Sequence, residues 1–158
     1  MSESEAADEA YEKAMGRAGR LLLRRPYSKT ALLARLLEQG CDRAAAEKAV
    51  ASLAESGFVN EGRDIQNLVE DGLRRGYGSL RIRARLEQAG YCDEAIEGAM
   101  HRHLPPEVEA TAAVAWLTQE FRATGKRDLA RAFAALARRG FPDDVAKDAA
   151  ERVFGVEE

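Results

Sequence analysis

Histidine and cysteine each occur twice in the 158 residues, tryptophan once, and valine, isoleucine and threonine together only 15 times. Each scarcity excludes something. Cys41 and Cys92 stand alone, which builds neither a disulfide framework nor a four-ligand zinc site, so both are expected to be reduced and partly buried. His101 and His103 lie two apart around Arg102 and point in different directions on a helix, a poor geometry for chelation, so no metal site is expected. The shortage of β-branched residues argues against a sheet, while abundant Ala, Leu, Arg and Glu favour helix; the fold class predicted is all-α. There is no Walker-type phosphate loop, no G-x-S-x-G and no dinucleotide fingerprint after a strand, so neither an enzyme nor a bound cofactor is expected. The N-terminal MSESEAADEAYEK lacks the basic-then-apolar pattern of a secretion signal. The longest mostly apolar run, around AVAWLTQ, falls short of the roughly 20 residues that cross a bilayer. A cytoplasmic protein without membrane contact is the expectation.

What is present is periodic. LARLLEQGCDRAAAEKAV at 33–50, RARLEQAGYCDEAIEGAM at 83–100 and FAALARRGFPDDVAKDAA at 133–150 share one frame, with Gly40, Gly90 and Gly140 fifty residues apart. Each glycine follows a leucine by four residues (Leu36, Leu86, Leu136), and Leu32, Ile82 and Ala132 stand four earlier still, so each segment aims an i, i+4 apolar pair at one place in its unit. A glycine in this position reads as a helix end in the left-handed conformation. Asp42, Asp93 and Asp143 with Asp144 open the next helix, where negative charge complements the dipole, and Pro142 suits a first turn. A further amphipathic run precedes each pair: Tyr11 to Leu22, Ile65 to Leu73, and Val114 to Phe121. The spacing predicts nine helices, at 6–24, 28–39, 42–56, 61–75, 79–89, 93–103, 106–123, 127–138 and 142–154. They form three tandem three-helix repeats (1–59, 60–104 and 105–158), expected to stack as an elongated, curved array.

Charge follows the same period. Residues 74–90, RRGYGSLRIRARLEQAG, hold five arginines with no acid before Glu87, in a chain of net charge −3. Residues 17–35 hold Arg17, Arg20, Arg24, Arg25, Lys29 and Arg35 with no acid, and 122–139 hold Arg122, Lys126, Arg127, Arg131, Arg138 and Arg139 against Asp128 alone. On the 79–89 helix, Arg81 and Arg85 flank the apolar stripe on one side and Arg83 on the other. Such zones either present guanidinium groups to an anionic partner or complement helix dipoles and solvate the surface. Tyr77, between Gly76 and Gly78, either stacks on a partner or anchors the turn against the core. Trp116 reads as a core residue of the seventh helix.

The run GFVNEGRDIQNLVEDGLRRGYGSLRIRARLEQAGY resembles the central signature of the RecX family, bacterial regulators of the RecA recombinase, in which a tight G-Y-G turn leads into I-x-x-x-L and a glycine-marked helix end. RRPYSKTALLARLLEQG and RDLARAFAALARRGF are similar to that family's opening and closing repeats, so the resemblance spans about 11–154. It implies a non-enzymatic protein of three helical repeats that lodges in the groove of the RecA–single-stranded DNA filament and restrains strand exchange, ATP hydrolysis and stimulation of repressor cleavage. A monomer is expected, with single- or double-stranded DNA as a second partner and direct DNA binding as the alternative function. Where the family shows a hydrophobic pair, paired acids and an aromatic-alanine step after its first repeat, this chain has Phe58-Val59-Asn60-Glu61 and then Ile65-Gln66. The expected partner-binding residues are Arg24, Arg25, Lys29, Arg74, Arg75, Tyr77, Arg81, Arg85, Arg127, Arg131, Arg138 and Arg139.

Overall fold

The computed structural model describes residues 2–121 and 128–155, and among them nine α-helices and no strand are found: α1 Glu3–Arg24, α2 Lys29–Glu38, α3 Arg43–Glu55, α4 Glu61–Arg74, α5 Ser79–Gln88, α6 Asp93–His103, α7 Pro106–Glu120, α8 Asp128–Arg138 and α9 Asp143–Phe154. Two boundaries differ from the sequence reading by more than one residue. α1 starts earlier because the Ser2 hydroxyl accepts the Glu5 N–H at 3.1 Å, which satisfies an otherwise orphan donor. α7 stops at Glu120 because Phe121 turns to extended backbone and sets its ring 5.7 Å from Phe154, edge to face.

The glycine-marked ends are Schellman caps. At Gly40 (φ 84°) and Gly140 (φ 91°), the glycine N–H bonds Leu37 O and Ala137 O, and the next residue reaches back to Leu36 O and Leu136 O. Gly76 repeats the pattern, with its own N–H on Leu73 O and the Tyr77 N–H on Gly72 O. The recurring leucines therefore serve the core and, at two of the three ends, the cap: the carbonyls of Leu36 and Leu136 close it, and the side chains of Leu36, Leu86 and Leu136 are fully buried beneath.

The chain packs as two units, Met1–Asp64 with Gln88–Cys92, and Ile65–Glu87 with Asp93–Glu158. In the first, α1, α2 and α3 enclose Ala14, Ala18, Leu32, Leu36, Ala46 and Ala49; in the second, α7, α8 and α9 enclose Ala113, Leu117, Leu136, Phe141 and Ala146. Alanine on so many inward positions lets the helices approach closely. Also in the second unit, a Cβ on Gly72 would sit 2.6 Å from Ile82 Cγ1, so α4 lies directly against α5.

One joint occurs in both units. In the first, Ser28 N–H, before α2, bonds Ala89 O at 3.1 Å. In the second, fifty residues on, Gly78 N–H bonds Arg139 O at 2.9 Å and Leu80 N–H bonds Gly140 O at 2.9 Å. The free amides at a helix start are thus satisfied by carbonyls of a glycine turn from further along the chain. Cys41 is buried, whereas Cys92, expected to be partly buried, is exposed, because it sits in the turn before α6 with its side chain outward.

Candidate partner-binding surface

Tyr77 follows the cap of α4 and is half-buried, with cations on its ring. The Arg81 guanidinium lies 3.9 Å from the ring centroid, Arg139 at 5.1 Å and Arg85 at 6.0 Å. Arg81 follows Tyr77 by four residues, on the first turn of α5, so the short turn between α4 and α5 brings the two together. Arg139 arrives by tertiary packing: its Nε donates to Gly76 O at 2.8 Å and its Nη2 to Arg75 O, while its other neighbour is the Trp116 ring at 4.8 Å. Trp116 is half-buried rather than fully in the core: the α4 turn and Arg139 cover part of it, and the rest lines an open groove.

Asp71 is the counter-charge. Its carboxylate meets Arg75 Nε at 3.0 Å, Arg74 Nη2 at 3.3 Å and Arg85 Nη1 at 3.7 Å. Arg85 Nη1 is buried without a hydrogen bond, so the long contact to Asp71 is its electrostatic partner. Glu109, buried on α7, accepts the Ser79 N–H through Oε2 at 2.5 Å and so caps the start of α5 with a carboxylate. The cap fixes the helix that carries Arg81 and Arg85. On the opposite flank Arg83 pairs with Glu97 at 2.6 Å. Arg74, Arg75 and Arg139 also line an open groove of about 420 Å³ with Trp116, Gln119 and Glu120. Arg74, Arg75 and Arg85 on Asp71, with Arg81 and Arg139 on the Tyr77 ring, make this a cationic surface able to grip carboxylates or phosphates.

The remaining expected residues go elsewhere. Arg24 lines a second open groove, about 460 Å³, with Arg17, Arg20 and Arg35 in the first unit. There Arg17 donates to Gln39 O and Arg35 pairs with Glu38 at 2.9 Å. Arg25 stacks on Tyr27 at 4.7 Å, and Lys29 is exposed at the start of α2. Arg131 is held by Asp128 at 3.2 Å and Arg138 is exposed at the end of α8. Arg127 lies outside the described residues. Asp71 and Glu109 were absent from the sequence reading. Asp71 had a signal in its i, i+3 and i+4 spacing to Arg74 and Arg75; Glu109, thirty residues from Ser79, had none. Among the described residues no cluster of metal-ligating side chains occurs and no helix is long and apolar enough to cross a membrane.

Because Arg139 bonds two backbone carbonyls and two aromatic rings, Arg139→Ala should cost about 2 kcal/mol of stability. Arg139→Lys should recover only part of it, since a single ammonium lacks the planar fork. Urea unfolding of the three proteins measures this.

No protein-family model matches the chain. It is 37% identical over 131 residues to the regulatory protein RecX of Stenotrophomonas maltophilia (strain R551-3), covering 81% of this chain and 79% of that protein. It is 34% identical over 160 aligned positions to the regulatory protein RecX of Halorhodospira halophila, covering 95% and 92%. The fold matches the crystal structure of RecX from Lactobacillus salivarius with a TM-score of 0.71 at 12% identity, over 92% of this chain and 97% of that one. A second RecX crystal structure matches with a TM-score of 0.67 at 20% identity, over 92% and 74%.

Proposed function

The chain belongs to the RecX family, and from that premise we propose that it is a non-enzymatic regulator, mainly an inhibitor, of the RecA recombinase, acting in the cytoplasm on the RecA–single-stranded DNA filament. The observation that carries this reading is the cationic surface at the end of α4 and on α5, where Arg74, Arg75 and Arg85 meet Asp71, and Arg81 and Arg85 lie on the Tyr77 ring. A filament offers carboxylates on its protein surface and phosphates on its DNA at regular spacing, both of which guanidinium groups bind with two parallel hydrogen bonds. A protein that binds one filament state better than another shifts the population by that difference in affinity, and strand exchange, ATP hydrolysis and coprotease activity change together.

The wild-type protein is expected to suppress DNA-dependent ATP hydrolysis by RecA at no more than stoichiometric amounts. Unchanged hydrolysis with no filament association would falsify the reading. A second reading, direct binding of DNA, draws on the groove of Arg17, Arg20, Arg24 and Arg35, whose lining contains no acid.

A further inference from the structure

We propose that the first unit carries a docking groove for an amphipathic helix of a protein partner, one whose apolar ridge is flanked by carboxylates; this rests on the reading that the chain acts by binding a protein filament. The groove is open, about 580 Å³, and walled by Met15, Leu22, Leu23, Leu53 and Phe58. Four large apolar side chains among the described residues are strongly exposed, and the two most exposed, Leu23 at 88% and Phe58 at 71%, both belong to this wall. A lone exposed leucine is ordinary on a soluble protein; two on one groove mark an interaction surface.

The floor of the groove supports the same conclusion. Gly16 and Gly19 lie in the interior of α1, where glycine weakens a helix relative to alanine. Neither has a positive φ. A Cβ on Gly19 would meet nothing within 4 Å, and one on Gly16 only the Arg20 guanidinium at 3.8 Å. Nothing inside the fold needs these side chains to be missing, and the space above them is free for another backbone. From Met15 to Leu23 the trough runs about 12 Å along the helix axis, a little over two turns, which suits the ridge of a second helix.

Charge selects the occupant. Arg20 lines both this groove and the neighbouring one that it shares with Arg24 and with Arg17, which is tied to Gln39 O, so the cationic groove adjoins the apolar trough at Arg20. The guanidinium groups there meet carboxylates on the flank of an incoming helix. Nucleic acid would satisfy the arginines and leave the leucine and phenylalanine walls in water.

The test measures binding of the full-length protein, labelled with a fluorophore at exposed Cys92, to RecA filaments on single-stranded DNA by anisotropy. Gly19→Leu fills the trough and Leu23→Ser with Phe58→Ser removes its walls, and each should weaken binding at least tenfold with helicity retained. Gly19→Ala should raise Tm and still weaken binding severalfold, a pairing that a merely structural glycine does not produce. Wild-type affinity in the Gly19→Leu protein and the double-serine protein overturns the groove and leaves the proposed function standing. A wild type that does not bind filaments overturns both. A dimer seen by sedimentation that Gly19→Leu abolishes assigns the groove to a second copy, and loss of naked-oligonucleotide binding in the groove variants assigns it to nucleic acid; either result also overturns the proposal.

Discussion

Replacing Gly140 by alanine should destabilise the protein by about 3 kcal/mol, a fall in Tm of roughly 10 °C, whereas Gly40→Ala should cost about 1 kcal/mol. The backbone conformations are nearly the same, φ 91° and 84°, so the left-handed strain on an alanine is common to both. The surroundings differ. A Cβ at Gly140 would lie 2.5 Å from Arg81 Cβ and 2.6 Å from Arg81 N, and the backbone there has little room to yield. At Gly40 nothing lies within 4 Å. Relief at Gly140 requires the turn to lift from the start of α5 and to break the bonds from Gly78 N–H to Arg139 O and from Leu80 N–H to Gly140 O. The partner surface should loosen with it, since Arg81 is the residue struck. Equal losses in the two variants, measured by thermal unfolding, would mean that the turn does not dock on α5 as described.

The largest functional effect is expected from reversing charge at Arg74 and Arg81. Both are exposed, so Arg74→Glu with Arg81→Glu should leave the fold intact while raising the concentration for half-inhibition of RecA ATP hydrolysis by roughly tenfold to a hundredfold. Arg85 is a poorer target than Arg74: both meet Asp71, but a glutamate at exposed Arg74 can turn into water, whereas one at half-buried Arg85 would be held against Asp71 and would unsettle α4 against α5. The same protein separates the two functional readings. Should direct DNA binding carry the activity, wild-type affinity for naked DNA must fall steeply as salt rises, and the reversal must abolish it. Inhibition unchanged in the folded double variant would remove α4 and α5 from the interface.

Much of the local architecture was legible because its causes are local. Apolar residues at helical spacing placed the helices, and a glycine four residues after a buried leucine marked their ends, since a Schellman cap needs a left-handed residue next to a carbonyl from one turn back. Arg81 beside Tyr77 belongs to the same class, because only a short turn and the first residues of α5 separate them. Phe121 leaving α7 early and Cys92 standing exposed were not legible, because each depends on what lies alongside in space.

By itself, then, the amino-acid order determined the nine helices found among the described residues, their glycine-marked ends and three basic zones recurring about every fifty residues, through steric and hydrogen-bonding rules that act within one or two helical turns. Arg35, Arg74, Arg75 and Arg131 pair with acids three or four residues away along the chain, but tertiary structure alone decided the use of the cations and carboxylates that bind across the fold. Arg139, grouped by sequence with the third zone, is bound to carbonyls of Arg75 and Gly76 more than sixty residues away, and Glu109 caps a helix thirty residues before it. A guanidinium or carboxylate takes whichever partner the packing of distant helices brings within 3 Å, and no local periodicity encodes that distance.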